Sequence, residues 1–151
     1  MVQKSKKNHI VEIAYPLFLE NGFKGTSIDL VVKVSGVSKP TVYNHFPDKS
    51  ALMQAVVEQW IADHQPGLSK IADDKALAKA IDTQWLEKDT VRLYAIVIGE
   101  GFRFPEAKKL FWLLFDSPWR QAFISASSGR LEQAQVELLL DRQLLYKLKQ
   151  L

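Results

Sequence analysis

The chain contains no cysteine, which removes disulfides, thiolate metal sites and cysteine nucleophiles together. Its three histidines, His9, His45 and His64, have neither metal-ligand spacing nor an activated nucleophile nearby. Long apolar runs are missing too. The longest, residues 93 to 99, is far shorter than the roughly 20 residues a membrane-spanning helix needs. Lys4, Lys6 and Lys7 are followed by Asn8, His9 and Glu12 instead of a secretory apolar segment, so a cytoplasmic chain with no membrane partner is expected. Gly99-Glu100-Gly101 is an isolated glycine pair with no helix start or Lys-Ser/Thr behind it, and no phosphate loop can be read there. Internal repeats and low-complexity tracts are absent. No catalytic residue, metal ligand or cofactor is therefore expected, and the chain does not read as an enzyme.

What is present suits a folded globular protein of 151 residues, with 47% hydrophobic and 25% charged residues. The net charge of +3 lies wholly in residues 1 to 49, where seven lysines face four acids. The remaining thirteen basic and thirteen acidic residues cancel. A solvated lysine face and a phosphate-binding surface both fit this bias.

Apolar residues Ile10, Val11, Ile13, Ala14, Leu17 and Phe18 recur at helical spacing, and Gly22 supplies a stop. Pro16 inside this helix predicts a local kink. Thr26 with Asp29 reads as a capping box opening a second helix to about Ser35, although Ile28, Val31, Val32 and Val34 would also suit a strand. After Gly36, Ser38 is a candidate N-cap and Pro40 fits a first turn, giving a short third helix over Lys39 to His45. Asp48 caps a fourth, whose stripe Leu52, Val56, Trp60 runs to about Asp63. Gln65-Pro66-Gly67 breaks the chain, and further helices are predicted at about 69 to 87, 89 to 103, 105 to 115, 118 to 127 and 130 to 149. No convincing strand appears, so the fold class is all-α.

Two helices joined by a tight glycine-containing turn, the second short, can lay a helix end into a DNA major groove, but the same corner also serves as plain packing. The side chains are more specific. Residues 26 to 53 read TSIDLVVKVSGVSKPTVYNHFPDKSALM, and with Leu17-Phe18, Asn21-Gly22 and Phe23 upstream they strongly resemble the tetracycline-repressor (TetR) family over about 55 continuous residues. The resemblance implies a three-helix DNA-binding domain over residues 1 to 48, followed by a helical effector-binding and dimerisation domain over 49 to 151, with helix four joining them. It implies DNA contacts from Thr26 and Ser27 at the start of helix two, and from Ser38, Lys39, Pro40, Thr41, Tyr43, Asn44, His45 and Lys49 on and after helix three. Chemically, lysine can donate to guanine, asparagine can pair with adenine, and Thr41 or Pro40 can pack on a thymine methyl. Tyr43 and His45 can donate to phosphate, although either can instead pack against helix one. Phe46 is assigned to the core.

In the second half the resemblance implies a pocket for a small apolar effector, with Trp60, Trp85, Tyr94, Phe102, Phe111, Trp112 and Phe115 as candidate lining residues. For each aromatic taken singly, core packing is the simpler reading. The chain ends some forty residues earlier than is usual in the family, so only one of the two family dimerisation helices is expected, at 130 to 149. Its stripe, including Leu138 and Leu145, needs an apolar neighbour. The expected protein is a homodimeric repressor on a palindromic double-stranded operator, released by its effector. The alternative is a shortened interaction protein that pairs with a full-length relative and has no effector response of its own.

Overall fold

The computed structural model describes residues 5–151, and Lys4 lies outside them. Among the described residues the chain is all helical. The elements are α1 (Lys6–Asn21), α2 (Ile28–Ser35), α3 (Lys39–His45), α4 (Lys49–Asp63), α5 (Asp74–Ala80), α6 (Lys88–Glu100), α7 (Pro105–Phe111), α8 (Ser117–Ala126) and α9 (Gln133–Lys149). α5 and α7 run on into π turns, Ile81–Trp85 and Trp112–Asp116, and α6 ends in a 3-10 turn, Gly101–Arg103.

Local chemistry explains most of these limits. Ser38 caps α3 by accepting from the Thr41 N–H, and Asp48 caps α4 by accepting from the Ala51 N–H. Gly36, at φ 71°, closes α2 in the left-handed conformation that only glycine adopts without cost. The β-branched residues of α2 remain helical because a cap at each end outweighs their weak strand preference.

Three expectations about helix limits change. The first cap of α2 is Ser27, which accepts from the Leu30 N–H, and not Thr26, whose hydroxyl is engaged elsewhere. Pro16 lies inside α1, which is assigned as one helix on both sides of it. Residues 69 to 73 are not helical, because Asp73 caps α5 on the Ala76 N–H and so starts that helix later. Ser117-Pro118 does not end a helix: the π turn shifts the hydrogen-bond ladder at the point where the proline lacks its N–H, and α8 follows directly.

The chain divides into two compact units. One holds the chain up to Asp63 together with residues 96–111, and the other holds 64–95 and 112–151. The unit carrying the helix-turn-helix therefore does not end at residue 48. Its core gathers Ile10, Ala14 and Phe18 of α1, Val31, Val42 and Phe46, both faces of α4, and Phe104, Ala107 and Phe111. α4 packs against α1 on one side and α7 on the other, burying Leu52, Met53, Val56, Val57 and Trp60. Each such side chain contributes about 1.5–3 kcal/mol when fully buried.

In the second unit Trp85, Tyr94, Phe115, Trp119 and Phe123 pack ring against ring, with centroids 5.7–6.3 Å apart. A polar chain runs through them. The Tyr94 hydroxyl donates to Asp116 at 2.7 Å, the Arg120 Nε donates to both Asp116 oxygens, and a terminal Arg120 nitrogen reaches Asp141 at 2.6 Å. Burial opposes the Arg120 charge, but Asp116 and Asp141 outweigh it and hold the guanidinium above its usual range. Burial, reinforced by Asp116, also pushes the Tyr94 phenol well above its ordinary value.

This network gives a stability prediction. Tyr94→Phe leaves a buried carboxylate oxygen short of a donor and is expected to cost about 1–3 kcal/mol in urea unfolding at neutral pH. The phenol stays protonated in the fold but ionises in the unfolded chain near pH 10, so its contribution is complete below that pH and shrinks above it. The difference between parent and variant therefore narrows at alkaline pH. A difference that widened there would contradict the assignment.

Candidate nucleic-acid interface

α3 is anchored from one side and open on the other. Val42 is fully buried and Phe46 nearly so, which fixes the helix against its own module. Lys39, Pro40, Tyr43, Asn44 and His45 are all exposed, with Tyr43 at 41%, and Thr41 is half-buried. Six of the predicted contact residues thus lie together on one short helix. Ser38 stands at its head, exposed, donating to the Thr41 hydroxyl at 2.8 Å.

Lys39 is not free in this arrangement, since its ammonium bridges to Asp29 of α2 at 3.0 Å with both partners exposed. The hydrogen bond with Asp29, aided by its charge, raises the lysine above its ordinary value. An exposed pair of this kind is screened by salt and easily exchanged for another anion.

Two predicted contacts depart from the sequence reading, Thr26 in the α1–α2 turn and Lys49 at the start of α4. Thr26 is fully buried, and its hydroxyl donates to the carbonyls of Gly22 at 2.8 Å and Leu17 at 3.0 Å. It is spent on carbonyls at the C-terminal end of α1 and is not offered to a phosphate. Ser27, one residue on, is exposed at the N-terminus of α2 and takes the place that Thr26 was assigned. Lys49 is likewise engaged: its ammonium donates to the Phe23 carbonyl at 2.9 Å and lies 4.4 Å from the centre of the Phe23 ring. It ties α4 to the turn and is not poised for DNA.

Two further residues at this site were not anticipated. Glu100, the last residue of α6, accepts from the Phe23 N–H and the Lys24 N–H, both at 2.9 Å. The approach needs Gly22, where a Cβ would stand 2.8 Å from the carboxylate and where φ is +77°. His9 reaches from α1 to the Ser35 carbonyl at 2.9 Å and holds the far end of α2. Gly22 could be read as a helix stop, but nothing local in the sequence announces a partner 77 residues away.

The aromatic candidates separate. Trp85, Tyr94, Trp112 and Phe115 meet in the second unit, with Tyr94 5.8 Å from Trp112. Trp60 and Phe111 belong to the first unit, where Trp60 stacks on Tyr15 at 5.6 Å. Phe102 is 69% exposed on the 3-10 turn beneath the Arg103 guanidinium. On α9, Val136, Leu140 and Leu144 face the unit's own core, whereas Leu138 and Leu145 are 58% and 54% exposed.

Comparison with known proteins agrees with this geometry. Residues 10–56 match the model of the bacterial regulatory proteins of the tetR family. The transcriptional repressor DhaR of Mycobacterium sp. strain GP1 is 29% identical over 77 residues, covering 51% of this chain and 39% of that protein. The transcriptional regulator RutR of Escherichia coli K12 is 32% identical over 107 residues, covering 71% of this chain and 46% of that protein. The matched segment therefore spans less than half of either relative. Among solved structures, a protein from Mesorhizobium loti assigned to the TetR family aligns with a TM-score of 0.65 at 17% identity, over 95% of each chain. Salmonella enterica GusR aligns at 0.63 and 21% identity, over 94% of this chain and 81% of that one. At these identities the structural likeness is one of fold, and it extends beyond the helix-turn-helix. Over residues 10–56, from α1 into α4, the chain belongs to the tetR family of bacterial regulatory proteins.

Proposed function

We propose that the chain is a DNA-binding transcriptional repressor that acts as a homodimer on a palindromic operator and lets go of it when a small apolar effector binds. The observation that carries the DNA-binding part is the exposed edge of α3, where Lys39, Pro40, Thr41, Tyr43, Asn44 and His45 surround a helix anchored by Val42 and Phe46. In this reading Asn44 and Lys39 address base edges, while Tyr43, His45, Ser27 and the first N–H groups of α2 hold phosphates. The repressor assignment takes its sign from the relative named as a repressor. The dimer reading rests on Leu138 and Leu145, exposed on α9 beside the half-buried Leu139, a patch too apolar to suit water. An effector would act in the second unit at Trp85, Tyr94, Trp112 and Phe115, whose close ring contacts require the cluster to part on binding.

Three measurements test this reading. Operator affinity should fall steeply with salt, with a slope of about −0.9 per phosphate neutralised and twice the single-module value for a dimer; affinity unchanged by salt would overturn it. Asn44→Ala should relax preference at particular bases, whereas Tyr43→Phe should weaken all sequences alike, and equal losses across every sequence for Asn44→Ala would reassign it to phosphate. Finally, Leu138→Glu with Leu145→Glu should give a folded monomer that binds an operator weakly, since both positions are exposed in the single chain. Sedimentation of a dimer with normal operator affinity would exclude this face as the interface.

A further inference from the structure

The segment between α1 and α2 is held more closely than a surface turn requires. Thr26 holds it from within through the Leu17 and Gly22 carbonyls, and Lys49 holds the Phe23 carbonyl from α4. Glu100 holds the adjoining N–H groups of Phe23 and Lys24 with its two carboxylate oxygens, one each, at 2.9 Å. Phe23 is buried and needs a partner for its N–H, but Lys24 is exposed and water would serve its N–H equally well. The second bond is therefore not demanded by burial. It also places a full negative charge at the edge where a polyanion is expected, an arrangement that opposes binding unless the carboxylate contributes something in return.

Its contribution is geometric. Two N–H groups on one planar carboxylate fix the two peptides on either side of Phe23, and with them the direction in which Lys24 leaves the backbone. Lys24 then stands three residues before Ser27, the exposed cap of α2. We propose that Glu100 is a positioning residue for DNA binding, which sets the α1–α2 turn so that Lys24 and the N-terminus of α2 engage one stretch of phosphate backbone. This rests on the DNA-binding reading above and assigns to it two residues outside the helix-turn-helix, Glu100 acting through Lys24.

The test uses the full chain and a fluorescent duplex that the unaltered chain recovers from a random-sequence pool. Glu100→Gln keeps the side-chain length but turns an amide N–H₂ toward one of the two backbone donors. It is expected to lower affinity about tenfold, within the usual range of coupling between linked sites, with the melting temperature held within a few degrees. Lys24→Ala should reduce the salt slope by about one per subunit, and Glu100→Gln should do the same although it removes no positive charge. The two changes combined should lose little more than either alone, because they remove one contact. A purely structural role would lower affinity and melting temperature together and leave the salt slope intact, and that result overturns the proposal. Unchanged affinity in Glu100→Gln overturns it as well, with the DNA-binding reading untouched. Failure of the unaltered chain to recover any duplex removes that reading and the proposal with it.

Discussion

The first unit depends on the burial of α4 from two sides. Leu52, Met53, Val56, Val57 and Trp60 cover more than one face of the helix, so a single partner helix cannot shield them. α1 takes one side, with Tyr15 stacked on Trp60, and α7 takes the other, bringing Phe104, Ala107 and Phe111 into the same core. This constraint draws residues 96–111 into the unit that carries the helix-turn-helix. It also brings the end of α6 to the α1–α2 turn, where Phe104 meets Phe23 at 4.9 Å.

Given that core, the turn is shaped by unsatisfied backbone groups. A helix ends with carbonyls that have no partner within it, and a buried turn must supply donors for them and acceptors for its own N–H groups. Thr26, Lys49 and Glu100 fill these roles, each from a different element. Their chemistry resembles that of phosphate ligands, a hydroxyl and an ammonium among them, but their hydrogen bonds are already spent inside the protein. Ser27, whose hydroxyl caps α2, and the residues Lys39, Pro40, Tyr43, Asn44 and His45 of α3 remain open to solvent.

The second unit meets a similar requirement with charge. Asp116 is buried among aromatic rings and is held by Tyr94 and Arg120, and Arg120 in turn reaches Asp141 of α9. A buried carboxylate without such partners would be strongly destabilising. The two π turns each contain a large aromatic of this cluster, Trp85 in one and Phe115 in the other, and widen the helix where these rings enter the core.

Sequence alone determined whatever acts over three or four residues. Ser38 and Asp48 as caps, Gly36 as a stop, Pro40 in a first turn and the stripe of α4 are all legible, because caps and helix faces are set by neighbours along the chain. For Tyr43, Asn44 and His45 it was the family resemblance, and not the local pattern, that pointed to an exposed helix, and the structure has all three exposed with Phe46 buried. Only the tertiary structure decided the rest. Whether Thr26 or Ser27 caps α2 depends on carbonyls of α1, and whether Lys49 is free depends on Phe23. Glu100 has no local sign of its partners, and Trp60, Phe102 and Phe111 could not be told from Trp85, Tyr94 and Trp112 by residue type. Aromatic burial and long-range hydrogen bonds depend on which helices meet, and that information is spread over the whole chain.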